Sequence, residues 1–311
     1  MKPFNKVLSC FVVGILLQGG LYYYLDQVVF APTTEFSVSS TDEDLEQGDF
    51  PDIKSGHKYV SHDHQYMAVV TEESLKIYKS GEDTPIDIDL KGRSISYFEW
   101  MPDRALAIMG LYGGEKDEVV LARLDPSNPE HEVDTEIEDA PRSSKIVDVA
   151  YSTATNVVYM KLKISDNVYR IYRTDANYDT RRVYMQASNI GRIAVFYDKD
   201  NFFYDNVRTG DVFMFDGVEG GWRVINPNGR YRLIGVDKAK HIYIAKVDKE
   251  DNALSVSEGK LGVGFTTVFS YKTPVSLSEV TMSEVKKIME NGSDNTVKAT
   301  DDTDTTEKKK K

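Results

Sequence analysis

The stretch YFEWMPDRALAIMGLYGGEKDEVVLARLD, Tyr97–Asp125, decides the fold, because it holds three short apolar runs separated by polar turns. The runs are too short for helices, and turn-forming residues such as Pro102-Asp103 and Gly113-Gly114 bound them. The stretch therefore predicts three antiparallel strands joined by tight turns. One such unit cannot bury its own apolar faces, so its stability depends on whether the unit repeats.

The same pattern of apolar strand, polar turn and apolar strand recurs in residues 65–80, 155–175, 200–216 and 239–259. A further candidate strand accompanies several copies, at Tyr97–Trp100, Val147–Tyr151, Ile193–Tyr197 and Tyr231–Val236. A period of about 40 to 50 residues with three or four strands is typical of a β-propeller. The predicted fold is an all-β propeller of about five blades, with a sixth blade and a β-sandwich as open alternatives. We expect His57–Ser61 to add an outer strand to the last blade and close the ring.

The segment Tyr97–Met109 resembles the WD40-like repeat of TolB-type and dipeptidyl-peptidase-type propellers, in which an aromatic residue precedes Ser-Pro-Asp-Gly and an apolar strand. Met101 and Arg104 stand here in place of the usual Ser and Gly. The resemblance implies a propeller and leaves the activity open. It favours Trp100 as a blade-packing residue and Pro102-Asp103 as a turn. A peptidase of this kind also needs a G-x-S-x-G motif, which the chain lacks.

The N-terminal region predicts a membrane anchor at residues 7–31. The run Val7–Leu25 carries no charge, and as a helix it would span about 28 Å, close to the thickness of the hydrocarbon layer. Lys2 and Lys6 precede it, so residues 1–6 are expected in the cytoplasm and the rest outside. A signal peptide cleaved after Ala31 is the alternative. Cys10, the only cysteine, excludes an intrachain disulfide.

The remaining organisation follows from composition. Residues 32–56 are predicted to be an acidic flexible tether, residues 57–275 the propeller, and residues 292–311 a disordered charged tail. A short helix is predicted at residues 276–291, where Ser276 and Glu279 have the spacing of a capping box. The net charge of −12 argues against a nucleic-acid partner.

No residue is predicted to be catalytic or to bind a cofactor. His62, Asp63 and His64 are the best metal candidates, because histidines two residues apart share one face of a strand. They also occupy a turn position of the repeat, which favours an exposed polar turn. The segments 198–201 and 248–252 resemble calcium loops but lack the glycine and the distal glutamate of an EF-hand.

The function predicted from the sequence is a membrane-anchored, extracytoplasmic propeller that acts as a non-catalytic binding or scaffolding module of the cell envelope. The membrane is contacted through Val7 to Ala31, and a protein or envelope polymer binds a propeller face. The alternative is an envelope glycoside hydrolase of the five-bladed kind. Its channel carboxylates would be Glu99, Asp148 and Asp237, which lie in candidate inner strands.

Overall fold

Repeated short apolar runs form five antiparallel sheets that follow one another along the chain. The computed structural model describes Gln18 and residues 48–129 and 133–298, and the residues from Gly48 onward belong to one unit, Ser39–Lys311. Within each sheet the strands keep their sequence order, so hairpin turns connect them. Sheets 1 to 4 have four strands each, and sheet 5 has five. The prediction of an all-β fold built from about five such units is confirmed.

The strands of sheets 1 to 3 are β1 (His57–Val60), β2 (Tyr66–Val70), β3 (Leu75–Lys79) and β4 (Ile86–Ile88); β5 (Arg93–Trp100), β6 (Ala107–Gly113), β7 (Glu118–Leu124) and β8 (Val133–Glu136); and β9 (Lys145–Ser152), β10 (Val157–Ser165), β11 (Val168–Thr174) and β12 (Thr180–Val183). Those of sheets 4 and 5 are β13 (Ile190–Val195), β14 (Asn201–Asn206), β15 (Val212–Asp216) and β16 (Trp222–Val224); and β17 (Tyr231–Val236), β18 (Ile242–Val247), β19 (Asn252–Lys260), β20 (Gly264–Ser276) and β21 (Thr296–Lys298).

The first strand of each sheet lies next to the first strand of the following sheet, in the order β1, β5, β9, β13 and β17. These inner strands therefore line a common axis, and the later strands of each sheet lie farther from it. In sheets 2 to 5 the inner strand also carries a β-bulge. A bulge bends the strand and redirects its side chains, so it affects what faces the axis.

The core lies between neighbouring sheets. Each sheet buries apolar side chains on both faces, and four hydrophobic clusters join sheets 1 and 2, 2 and 3, 3 and 4, and 4 and 5. Trp100 belongs to the first of these clusters, and its Nε1 donates a hydrogen bond of 2.9 Å to the carbonyl oxygen of Tyr59. Trp100 is thus a blade-packing residue, as the sequence predicts.

The two ends of the array are covered by segments that are not blades. The outer face of sheet 1 contributes Met67, Val69 and Tyr78 to a cluster that packs against Phe50 and Ile53. The outer face of sheet 5 packs against a helix that follows it. Among the described residues, no hydrophobic cluster contains side chains of both sheet 1 and sheet 5.

The prediction that His57–Ser61 closes the ring as an outer strand of the last blade is wrong. The segment forms β1, which pairs with β2 in the register His57↔Val70 to Val60↔Met67. Tyr59 is buried in the cluster between sheets 1 and 2. The local hairpin pairs β1 with β2 along one edge and gives the ring of Tyr59 a buried site.

The helical region after sheet 5 has two parts, a 3₁₀-helix at Leu277–Glu279 and α1 (Met282–Asn291). The predicted capping residue Ser276 instead ends β20, opposite Asn252. Thr281 caps α1, because its Oγ1 accepts a hydrogen bond of 3.2 Å from the backbone N–H of Glu284. Gly292 follows the helix with φ of 75°, a backbone conformation that favours glycine.

The predicted disordered tail from residue 292 is wrong for Thr296–Lys298, which form β21 beside β20. Asn295 holds the chain there, since its Oδ1 accepts from the N–H and the hydroxyl of Thr273 at 3.1 and 2.8 Å. The predicted anchor at residues 7–31, apart from Gln18, and the tether as far as residue 47 lie outside the described residues. Among the residues that the structure does describe, no helix is long and apolar enough to cross a membrane.

Candidate functional site

The inner strands of sheets 2 to 5 end around one cavity of about 170 Å³, which we call the mouth cavity. Its lining comes from equivalent positions of the four sheets, where each inner strand turns into the next strand. The lining residues are Pro102, Asp103, Tyr151, Thr153, Val195, Tyr197, Val236, Asp237 and Lys238. Loops that converge on a rigid scaffold in this way are common positions for binding sites.

Asp237 stabilises the turn of sheet 5 at this cavity. Its carboxylate accepts the backbone N–H of His241 at 2.8 Å, lies 2.9 Å from Nδ1 of the same histidine, and accepts the Tyr243 hydroxyl at 3.3 Å. Burial acts to raise the pKa of Asp237, but the hydrogen bonds and charge of His241 outweigh it, so this pKa lies below its ordinary value. Asp237 is therefore already engaged by the turn.

Asp103 and Lys238 carry the charges at the cavity rim. Both Asp103 oxygens accept from the neighbouring Arg104 guanidinium, at 3.1 and 2.9 Å, and this hydrogen-bonded pair lowers the pKa of Asp103. Lys238 is exposed, and its Nζ lies 5.4 Å from the centroid of the Tyr197 ring. Such exposed pairs contribute little to stability, so these side chains can change partners on binding.

Tyr151 and Thr153 bring polar atoms of sheet 3 to the cavity. Burial raises the pKa of Tyr151, and the negative charges of Glu99 and Asp103 raise it further, so the phenol stays protonated. Oγ1 of Thr153 is buried and has no hydrogen-bond partner among the described residues. An unpaired buried hydroxyl is costly, and a bound polar group would supply the missing partner.

Glu99 on β5 and Asp148 on β9 lie on neighbouring inner strands of sheets 2 and 3. Burial raises the pKa of Glu99 to about 7, although the Tyr97 hydroxyl donates to its carboxylate and opposes the rise. The negative charge of Asp148 raises the pKa of Glu99 further. Burial likewise raises the pKa of Asp148, against the lowering effect of Lys161. Neither carboxylate lines the mouth cavity, whereas Tyr151, whose pKa Glu99 raises, does.

A buried ionic network continues toward the other end of the inner strands. Arg232 donates to Asp205 at 3.2 Å and to Asp251 at 2.7 Å, and Asp205 accepts the backbone N–H of Arg192 at 2.8 Å. Gly191 is required beside this network, because a Cβ there would lie 2.1 Å from the Asp205 carboxylate. Lys161 donates to the carbonyl oxygen of Gly191 at 2.6 Å. These groups neutralise one another, so the network is interpreted as structural.

The metal candidates His62, Asp63 and His64 lie in the turn between β1 and β2. Burial acts to raise the pKa of Asp63, but its hydrogen bonds from the Ser61 hydroxyl at 2.6 Å and the Gln65 backbone N–H at 3.2 Å, together with the charge of His62, outweigh burial and lower it. His64 has a φ of 54°, as turn residues often do. Within the described part of the chain, no group of three or more histidine, cysteine, aspartate or glutamate residues is placed to hold a metal ion.

The two segments that resemble calcium loops are also turns. Asp198 pairs with Lys240 at 2.9 Å, and Asp200 accepts from Arg173 at 2.7 Å. Asp248 accepts the backbone N–H groups of Glu250 and Asn252, at 2.9 and 2.8 Å. Each of these carboxylates thus has partners within the protein, which is the role that aspartate commonly takes in turns.

Glu99, Asp148 and Asp237 are predicted from the sequence to lie in inner strands, whereas Thr153, Tyr197 and Lys238 are cavity residues that were not predicted. The structure brings Glu99 and Asp148 close enough for their charges to interact, and it places Asp237 at the cavity, which neither of the other two lines. A usable signal existed, since Thr153 and Lys238 each come two residues after a predicted inner strand and Tyr197 is the last residue of one.

No protein-family model matches the chain, and no curated protein matches it. Dipeptidyl peptidase 4 of Porphyromonas gingivalis is similar in structure, with a TM-score of 0.50 and 14% identity over 70% of this chain and 39% of that chain. A putative TolB from Agrobacterium tumefaciens gives 0.44 and 16%, covering 68% of this chain and 78% of that one. A luciferin-regenerating enzyme gives 0.45 and 12%, covering 78% and 81%.

Consecutive antiparallel sheets around a common axis, together with the likeness to the peptidase structure, define the fold of the chain as a β-propeller. At these identities the likeness concerns the fold alone. The resemblance indicated by Trp100-Met101-Pro102-Asp103 is thus confirmed at the level of the fold.

Proposed function

We propose that this protein is a single-pass, membrane-anchored, extracytoplasmic β-propeller that binds a partner through the mouth cavity and has no catalytic activity of its own. The anchor and its orientation rest on the uncharged run Val7–Leu25 and the two lysines before it. The acidic segment that follows would let the propeller reach a partner at some distance from the membrane.

The observation that carries the binding role is the convergence of four equivalent turns on one cavity. A partner bound there contacts sheets 2 to 5 at the same time. The turns that it contacts are anchored by strands rather than carried on a long mobile loop. A protein is the partner class best supported, because WD40 propellers generally mediate protein interactions. An envelope polymer is the other class that the sequence suggested.

Site-specific photo-cross-linking in native membranes tests the binding role. A photoreactive amino acid is placed at Tyr197, whose side chain is 41% exposed beside the cavity. The matched control carries it at Lys116, in the β6–β7 turn at the opposite end of sheet 2. We expect one discrete cross-linked product from position 197 and none from 116. Equal cross-linking at both positions would contradict binding at the mouth.

The membrane topology has its own test. Protease added outside intact cells should degrade the propeller while a cytoplasmic reference protein survives. If the propeller survives while an external reference protein is cut, the orientation is wrong.

A glycoside hydrolase remains the second candidate, because Glu99 and Asp148 both have raised pKa values and lie close enough to influence each other. A protonated carboxyl beside a second carboxyl is the arrangement that an acid-base pair needs. Tyr97 and Tyr151 surround Glu99, and neither carboxylate lines the cavity, which favours the binding role. Hydrolysis of envelope glycans by the wild type that Glu99→Gln abolishes would support the enzyme instead.

A further inference from the structure

The mouth cavity has the size of one side chain. Its volume of about 170 Å³ is below the roughly 300–1,000 Å³ of pockets for drug-sized ligands. Pro102, Val195 and Val236 give it apolar walls, and Tyr151 and Tyr197 add aromatic surface. The lining therefore suits a slim apolar stem that ends in a polar group, and this is the shape of a long side chain inserted from a partner.

The charges around the cavity favour a cation at the end of that stem. The lining has two carboxylates, Asp103 and Asp237, and one cationic side chain, Lys238. Asp237 is engaged by its own turn, but Asp103 is held mainly by the exposed Arg104 next to it and also feels the charge of Lys238, so Asp103 can accept a new donor. Thr153 Oγ1 offers a further acceptor, since it has no partner among the described residues.

The chain's own Lys238 already places an ammonium group near the face of the Tyr197 ring. A cation within about 6 Å of an aromatic centroid is attracted by the negative face of the ring. Lys238 is exposed on the β17–β18 turn, so its side chain is free to swing toward solvent. Its position indicates where an incoming cation would be held once Lys238 moves aside.

We propose that the mouth cavity binds the lysine or arginine side chain of a protein partner, with Asp103 as the counter-ion, Thr153 as a hydrogen-bond acceptor and Lys238 as the group displaced. This proposal rests on the proposed function, because it names the chemistry of the partner at the same cavity. The long apolar stem of a basic side chain would pack along Tyr151 and Tyr197, as such stems often do on apolar surfaces.

The test uses the full-length protein in detergent and ligand-observed NMR with three small probes. These are the Nα-acetyl amides of lysine, arginine and norleucine, the last being a neutral analogue of lysine. We expect both cationic probes to bind about tenfold more tightly than the neutral one, because a charge-assisted contact is lost. Equal binding of norleucine and lysine would overturn the proposal.

Substitutions identify the site. Asp103→Asn should weaken the lysine probe about tenfold by removing the counter-ion. Lys238→Met should strengthen it about threefold, because the competing internal cation is gone. Asp198→Asn is the matched control, since Asp198 lies in the equivalent turn of sheet 4, pairs with Lys240 and does not line the cavity. Loss of binding in Lys238→Met would show that an anion binds instead and would overturn the proposal.

Cross-linking separates this proposal from the proposed function. If position 197 captures a partner equally well with Asp103 and with Asn at position 103, the basic side chain is ruled out and the binding role stands. If the cationic probes bind as expected but no partner is captured at the mouth, the site stands and the binding role falls.

Discussion

Glu99 is a carboxylate whose buried environment opposes its ionisation. It lies among Tyr97, Tyr151 and Asp148, and burial is the main reason that its pKa rises from 4.5 to about 7. The folded state therefore holds a proton that the unfolded chain releases at lower pH. Its contribution to stability is present below pH 4.5 and is lost as the pH rises through 7.

Glu99→Gln should remove this pH dependence. At pH 8 we expect the variant to have a free energy of unfolding about 3 kcal/mol higher than the wild type, because no buried carboxylate has to ionise. This difference in the free energy of unfolding should disappear by pH 4.5. Denaturant titrations from pH 4.5 to 8 measure it, with Glu115→Gln on the exposed β6–β7 turn as control. A wild-type stability that rises across this range would contradict the assignment.

Trp100 packs between sheets 1 and 2 and also donates a hydrogen bond through its indole nitrogen. It is 7% exposed, its ring meets that of Phe98 edge to face at 5.6 Å, and its Nε1 donates to the Tyr59 carbonyl. Trp100→Phe should cost about 1–3 kcal/mol, because a buried acceptor loses its donor and a gap is left. Trp222→Phe, at the half-buried position of the edge strand β16, should cost less when both are measured by denaturant unfolding. A larger loss at Trp222 would argue against the packing role of Trp100.

At the scale of elements, α1 covers the outer face of sheet 5 through Val285 and Ile288. Ile288→Ala should cost about 2–4 kcal/mol through the cavity it leaves. Thr281→Ala should cost about 1 kcal/mol by removing the cap. Lys287→Ala, on the exposed side of the same helix, is the control and should change the thermal midpoint little. If Ile288→Ala leaves the stability unchanged, α1 is not packed on sheet 5.

The inner strands and central hairpins could be predicted from the sequence because strands that are buried on both faces consist largely of apolar residues. The candidate strand Val147–Tyr151, for example, is observed within β9 at Lys145–Ser152. The fourth strands could not be predicted in the same way. The strands β4 and β16, for example, have three residues each and are largely exposed, so they carry no apolar pattern.

Two other misses have a physical explanation. The predicted capping residue Ser276 pairs with β19 instead, so the α-helix begins later in the chain, where Thr281 and Glu284 have the same spacing. The mouth cavity depends on which turns meet across the axis, and turn residues such as Lys238 have no periodicity that reports their neighbours. Its composition could be predicted only once the repeats were aligned at their inner strands.

At the scale of the whole molecule, the stabilising contacts run from each sheet to its neighbour. Sheet 3 shares a cluster with both sheet 2 and sheet 4. Sheet 1 shares one with sheet 2 and has Phe50 and Ile53 on its other face, while sheet 5 has α1. In such an array the stability of a unit depends on its nearest neighbours, so the ends are expected to open before the middle.

Native-state hydrogen exchange followed by mass spectrometry measures this order. Amides of β2 and β18 should exchange faster than those of β10, because an end sheet opens by breaking one blade interface and its cover, whereas sheet 3 must break two interfaces. Ile288→Ala should accelerate exchange in sheet 5 and leave sheet 1 unchanged. If the variant accelerates both equally, sheets 1 and 5 support each other as in a closed ring, and the description of two separately covered ends is wrong.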